Sequence, residues 1–539
     1  MILFGAHHKG RRLQLQHYKT TSYIIMKNHF LCTLLLGGLF LLVSCQDEEE
    51  AAPQPSSSKD FLSFSFQAEN NPTFLEKDYS FSVAGDHVNA MFPPGQAVDS
   101  LVASFTTQAS KVTIDSVEQE SGVTVNDFSA PLVYSLLAED ATTHQYTVRT
   151  HTFTGLPAMY ITTQDQAPIT SKEEYIRGAI TLISNEKGEE PLTGAPMEIR
   201  GRGNTTWNME KKPYRLKFND KTELLGMSAD KSWVLLANYS DKTLMRNHLA
   251  FEFSRQFGLE YTPQSRFVEV YLNGQYYGNY QLTEQIQVDE HRLNIDELDE
   301  GDVEEDKISG GYLLEVDFRR DADYWFESTQ GELFTLKSPE DIVPEQLAYI
   351  QRYVQTAEDA IFSENFADPQ EGYANYIDIE SFVDWYLISE ITKDTDGNFK
   401  SSVYLHKPRS GKLFMGPVWD FDIAMGNVDF GTGMETEGWR IREVSWFRRL
   451  FEDPAFQERV RARWNELKNN EIEAVIAEID ATAETLSVSQ TQNFNRWKIL
   501  DKRVWPNPVV TGSYAGEVTY LKEWLNARIE WMDQAINTP

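Results

Sequence analysis

KDTDGNFKSSVYLHKPRSGKLFMGPVWDFD, residues 393–422, is the stretch on which the reading of the second half of the chain turns. Two β-prone runs, Val403-Tyr404-Leu405-His406 and Lys412-Leu413-Phe414-Met415, flank the turn-forming Pro408-Arg409-Ser410-Gly411, which predicts a hairpin. A hairpin brings its outer ends together, so Asp396 is expected beside Asp420. If the second strand continues through residue 422, Asp420 and Asp422 share one face and Trp419 and Phe421 the other. Two carboxylates on one face with a third nearby suit a hard cation such as Mg2+ or Mn2+, and also a general base. A capped loop of solvated acids is the competing reading. The apolar residues packed around these acids favour the chemical one.

Outward from this stretch the chain divides by periodicity. From about residue 345 it predicts helices over 344–361, 379–392, 454–468, 472–486 and 514–536. Residues 157–340 mix strands (197–200, 214–218, 267–272, 277–282, 312–316) with one helix over 243–257, Asp241 as its N-cap and Gly258 as its stop. Short alternating runs over 60–154, punctuated by Asn70-Asn71-Pro72, Pro93-Pro94-Gly95 and Glu120-Ser121-Gly122, predict a β-sandwich that resembles immunoglobulin-like modules. The expected class is therefore α+β: an N-terminal sandwich at 60–154, then a two-lobed unit over 155–539, sheet-rich to about 340 and helix-rich after. No internal repeat is present.

The chain has 539 residues with 49 Lys+Arg and 82 Asp+Glu, a formal charge of −33. At 41% hydrophobic and 12% aromatic it can bury a large core, which excludes wholesale disorder. The acidic balance argues against a nucleic-acid partner, because phosphate neutralisation needs a basic face. Residues 30–43 (FLCTLLLGGLFLLV) follow a basic stretch and are too short to span a bilayer comfortably, so residues 1–44 read as a signal peptide, with Met26 as an alternative start. Leu42-Val43-Ser44-Cys45 resembles a lipobox with Cys45 as the lipidated residue. The acidic 46–50 that follow resemble an export tag of surface lipoproteins. Residues 45–59 then read as a tether, which implies membrane contact through the lipid alone and an outer-membrane, surface-exposed location. Both cysteines, Cys32 and Cys45, lie before the folded part, so disulfide, thiolate-zinc and cysteine-nucleophile chemistry are closed to it. The leader holds five basic residues and no acids, which makes the remainder more acidic still, at −38.

Against that background Arg200-Gly201-Arg202-Gly203-Asn204-Thr205-Thr206-Trp207 and Lys211-Lys212-Pro213-Tyr214-Arg215-Leu216-Lys217-Phe218 reverse the sign locally. A strand would place Arg215 and Lys217 on one face, opposite Tyr214, Leu216 and Phe218. A basic face beside a glycine-containing turn suits phosphate oxygens, or protects an exposed sheet edge. There is neither a Walker pattern nor a complete GxGxxG.

Taken with LPAMYITT (156–163), LLANYSDKTLMRNHLAFEFSRQFG (235–258), VYLNGQYYGNYQLTEQI (270–286), GGYLLEVD (310–317) and GPVWDFDIAMGN (416–427), these motifs resemble the spore-coat CotH kinase family over about residues 156–536. The resemblance implies a divergent protein-kinase-like fold that uses ATP with Mg2+ or Mn2+ and phosphorylates Ser/Thr of an envelope or secreted protein. By the same resemblance Asp396 is the catalytic aspartate and Asp420 the metal-binding one, with Asp422 and Asn398 as further metal-site residues. Lys217, or else Lys212, steadies the phosphates with Glu252 as partner. Arg200, Asn204 and Thr205 border the phosphates, and Glu284 ends the strand against which adenine packs. One position departs from the family pattern: Ser401 stands where many members carry the Asn that would be a second metal ligand.

Other signals are weaker. The acidic run at 289–306 lacks EF-hand spacing and reads as a solvated loop. His248 and His291 are isolated, no GxSxG occurs, and Trp464, Trp497, Trp524 and Trp531 read as core. The alternative from another class is a non-catalytic surface adhesin or glycan-binding lipoprotein that retains the fold.

Overall fold

The computed structural model describes residues 55–81, 83–93, 96–183 and 191–538. The leader, Cys45 and most of the tether lie outside them. The first sheets share one aromatic core. Strand Phe61–Phe66 pairs with Tyr79–Phe81 and Ser104–Thr107, and a second sheet runs Val83–Ala84, His87–Phe92, Thr143–Thr152, Leu132–Leu137, Lys111–Ile114, Val117–Glu118. A register shift between Phe61 and Ser63 lets Phe61, Phe64 and Phe66 all turn inward despite their uneven spacing. Their rings meet Tyr134, Tyr146 and Phe92.

Residues 158–284 carry more strands than the periodicity singles out. Ala158–Thr163, Ile176–Ile183, Leu192–Gly201, Tyr214–Leu224, Met227–Leu236, Gln275–Glu284 and Ser265–Leu272, in that order, close into a barrel. The last closes parallel to the first, through pairs such as Met159 with Val270. Alternation fills the interior with Met159, Ile199, Tyr214, Leu216, Trp233 and Leu282 and leaves Arg200, Arg215 and Lys217 on the outer face. Arg200 and Arg215 sit directly opposite each other.

The helix after the barrel's fifth strand in sequence starts at Arg246, later than expected, and runs to Phe257. Asp241 is not its N-cap. Its carboxylate accepts from the Thr243 and Arg246 backbone N–H groups and from the Arg246 guanidinium, satisfying the first helical donor from a preceding turn. Gly258, at φ 78°, ends the helix in the left-handed conformation. Helices Pro344–Phe362, Ile379–Thr392, Pro454–Leu467, Glu471–Thr485, Ser487–Arg496 and Tyr514–Asn537 make the C-terminal half. Trp464, Trp497 and Trp524 are buried among them as core, and Trp531 packs against it. Among the described residues no helix is long and apolar enough to cross a membrane. The arrangement is mixed α+β, sheet-rich first and helical later.

A further sheet, in the order Trp325–Glu327, Leu333–Ser338, Tyr312–Val316, Val403–Lys407, Phe414–Met415, carries the expected hairpin, with Leu405 opposite Met415 and His406 opposite Phe414. The returning strand stops at Met415, so residues 416–422 are not a strand. Asp420 instead takes φ +73°, and Asp420 and Asp422 do not share a strand face.

Candidate active site

Helix Ile379–Thr392 delivers the first acidic segment. It ends at Lys393 in the left-handed conformation, and the Lys393 ammonium is held by the carbonyls of Glu435 and Glu437. The turn that follows is built around the buried Asp394 carboxylate, which accepts from the Asp396 N–H at 3.2 Å. A Cβ on Gly397 would lie 2.1 Å from an Asp394 oxygen, so any larger residue there must displace the Asp394 carboxylate. Phe399 (φ +60°) packs its ring against Trp446 and Phe447, and Ser402 (φ +57°) turns the chain into the Val403–Lys407 strand. Asp396 thus sits half-buried on a loop anchored at both ends.

The second segment is clamped by the N-terminal end of the Arg246–Phe257 helix. The Phe421 N–H donates to Asn247 Oδ1 at 2.7 Å, and the Arg246 guanidinium donates to the carbonyls of Ala424 and Met425. Asp422 accepts from Ser240 Oγ at 3.3 Å, while the Asn427 amide donates to the Asp422 and Ser240 carbonyls. Two bonds join the segments: Met425 N–H to the Thr392 carbonyl at 2.7 Å, and Ser402 Oγ to an Asp420 carboxylate oxygen at 3.2 Å. Left-handed φ values at Lys393, Phe399, Ser402, Asp420 and Met425 concentrate backbone strain around these acids, as functional sites often do.

The carboxylates feel one another. Asp396 is pushed up to about 6, first by burial and then by the charge of Asp420, against the pull of Arg319, Arg440 and Lys400. Burial, then Asp420, Asp396 and Asp241, raise Asp422 well above the carboxylate range, and Asp394 is raised by burial and Asp396. Among the described residues no three His, Cys, Asp or Glu side chains converge into a ready cage. A few mutually repelling all-oxygen donors nevertheless fit Mg2+ or Mn2+, which bind through one or two carboxylates and complete their shells with phosphate and water.

The cations around the acids differ from those expected. Arg202 lies over the Trp419 ring at 5.5 Å, and burial lowers its pKa against the opposing charges of Asp420, Tyr404 and Glu315. Lys217 is exposed and lies over Tyr175, and Lys212 donates to the Trp207 carbonyl at 2.6 Å, so neither faces the carboxylates. Glu252 pairs with Arg255 and His248 rather than with Lys217. Glu284 is fully buried, accepting from Tyr261 and the Gln264 N–H, and offers no surface to a nucleotide. Arg200 stacks on Tyr175 and donates to the Lys172 carbonyl on the barrel's outer face. Asn204 and Thr205 are exposed at the tip of the loop after Gly201, and Asn398 lies half-buried in the Asp396 turn.

Ser401 is buried and accepts from Arg319 at 3.3 Å. The sequence therefore points to Asp396, Asp420 and Asp422 but assigns no role to Arg202, Arg319, Asp394 or Asn247. Arg202 and Asn247 lie inside motifs quoted above, so the signal is present there without a geometry to interpret it.

The repulsion has a measurable sign. An acid whose folded-state pKa lies above its unfolded value holds a proton that the unfolded chain has released, so its contribution to stability falls as pH rises through that window. Asp422→Asn is expected to unfold about 1 °C above wild type at pH 8 in EDTA, roughly 1 kcal/mol, with the gap closing toward pH 5. Thermal unfolding at both pH values checks it.

The profile described as CotH kinase protein matches residues 199–532, and one described as SGBP, N-terminal, matches residues 73–150. The inner spore coat protein H of Bacillus subtilis is 25% identical over 249 residues, which is 46% of this chain and 63% of that protein. The chain thus spans under two thirds of that relative's length. A solved Bacteroides thetaiotaomicron chain provisionally described as a glycoside hydrolase aligns at 15% identity over 55% of this chain and 88% of its own, with a TM-score of 0.20, too low to carry an argument.

Proposed function

The chain belongs to the CotH kinase family, and from that premise we propose that it is a metal-dependent phosphotransferase, moving the ATP γ-phosphoryl group to Ser or Thr of a secreted or envelope protein. The observation that carries the reading is the Ser402–Asp420 bond, which sets the Asp396 turn against the Asp420 segment, with the Asp420 charge close enough to raise Asp396 and Asp422. At neutral pH Asp396 is largely ionised and can take the proton of the attacking hydroxyl. Asp420 and Asp422, with Asn398 from the Asp396 turn, would hold Mg2+ or Mn2+, which supplies charge neutralisation for the phosphates. Arg202 would hold a phosphate oxygen from the barrel side. A lipid on Cys45 would tether the protein to the outer membrane, facing outward.

Transfer of label from γ-labelled ATP to a general acceptor, or to the protein itself, tests the reading. Transfer with Mg2+ or Mn2+ that disappears in EDTA is expected. A second reading, a non-catalytic surface module, is favoured by one observation: the Ser401 hydroxyl is engaged by Arg319 where many family members carry an Asn. Glycan binding unchanged by Asp396→Asn and Asp420→Asn, without transfer, would select it.

A further inference from the structure

Arg319 joins three parts of the site. Its Nη1 donates to both Asp317 carboxylate oxygens, at 2.9 and 2.8 Å, and to Ser401 Oγ at 3.3 Å. With its oxygen turned toward the guanidinium, the Asn204 amide lies 3.3 Å from Nε, Nη1 and Nη2 alike, over the flat face of the group rather than in line with its N–H bonds. Asp396 feels its charge. The bonds to Asp317 and Ser401 thus all come from Nη1, which leaves the in-plane Nε–H and Nη2–H donors for another acceptor while the loop after Gly201 covers the guanidinium face. The other cations near Asp396 are placed differently: Lys400 is exposed beside Phe318, and Arg440 donates to the Thr395 carbonyl at 3.1 Å.

We propose that Arg319 contacts the phosphoryl group during transfer, its in-plane Nε and Nη2 donors going to the equatorial phosphoryl oxygens; this rests on the phosphotransferase reading. In that step the acceptor oxygen forms a bond to the γ-phosphorus, the bond to the β,γ-bridging oxygen breaks, the electron pair leaves with ADP, and the hydroxyl proton passes to Asp396. Arg319 neutralises charge on the oxygens in flight and is neither consumed nor deprotonated.

The test compares wild type with Arg319→Met and Arg319→Lys by calorimetry with Mg2+ and ADP, with and without aluminium fluoride, a mimic of the transferring group. Wild type is expected to bind ADP more tightly with the fluoride. Arg319→Met should keep ADP affinity within about threefold, lose most of the fluoride increment, and lower kcat about 10²–10³-fold with a smaller change in KM. A purely structural role would weaken ADP with and without fluoride alike, which overturns the inference. Should Arg319→Met fail to fold, Arg319→Lys, which keeps a cation beside Asp317, carries the test and is expected to lose most of the increment too. A retained increment with kcat within threefold of wild type overturns the inference and leaves the phosphotransferase reading standing. Absence of transfer and of ADP binding in wild type overturns both.

Discussion

Asp396→Asn is expected to lower phosphoryl transfer by about 10²–10⁴-fold, the usual range for a lost general base. The substitution preserves shape, and the bond from its backbone N–H to Asp394 is unaffected. It also removes a charge that raises Asp394 and Asp422. The variant should therefore unfold at or above the wild-type temperature and retain nucleotide binding, because Asp420 and Arg202 remain. In wild type, kcat/KM should rise with pH with a midpoint at about 6, where Asp396 is half ionised, and level off about one pH unit higher. Steady-state kinetics with a binding isotherm check this. Loss of binding in step with activity would show that the substitution disturbed the loop instead.

The largest stability effect is expected at Glu390, outside every proposed contact with substrate. Its fully buried carboxylate accepts from the backbone N–H groups of Arg440, Ile441 and Arg442 and from Arg528, itself fully buried. Arg528 reaches on to the carbonyls of Thr436 and Gly438. Burial disfavours both charges, and this dense set of bonds offsets it. Glu390→Ala leaves the buried Arg528 charge without its counter-ion and three backbone N–H groups without an acceptor, and should cost about 3–5 kcal/mol, read as a lower denaturant midpoint. Because Arg440 also bonds the Thr395 carbonyl, the same variant should expose residues 434–442 to protease and lower transfer. A shift within about 1 kcal/mol would contradict the role given to this buried pair.

The helices from residue 344 onward are legible in the sequence because their apolar spacing is strong and their ends are marked. The hairpin is legible from Pro408–Gly411, and with it the approach of Asp396 to Asp420. Barrel closure is not, because it depends on pairing between Ala158–Thr163 and Ser265–Leu272, far apart in sequence. Residues 416–422 read as a strand only until Asp420 is seen to be left-handed, a conformation that leaves no sequence mark. Lys217 fits the family pattern yet faces away, since the outer strand face carries Arg200, Arg215 and Lys217. The cation that feels Asp420 sits in the loop beyond that face, at Arg202. Arg319 is invisible to sequence reasoning because its role depends on two residues distant in sequence, Asn204 and Ser401.

Phosphoryl transfer itself is tested most directly by incubating residues 46–539 with γ-labelled ATP and Mn2+ or Mg2+, with and without EDTA, beside Asp420→Asn, which tolerates the left-handed backbone at that position. The predicted result is metal-dependent label on protein Ser or Thr from wild type, absent with EDTA and reduced at least about 10²-fold in the variant. Wild type that transfers no label and binds no nucleotide with either metal would contradict it.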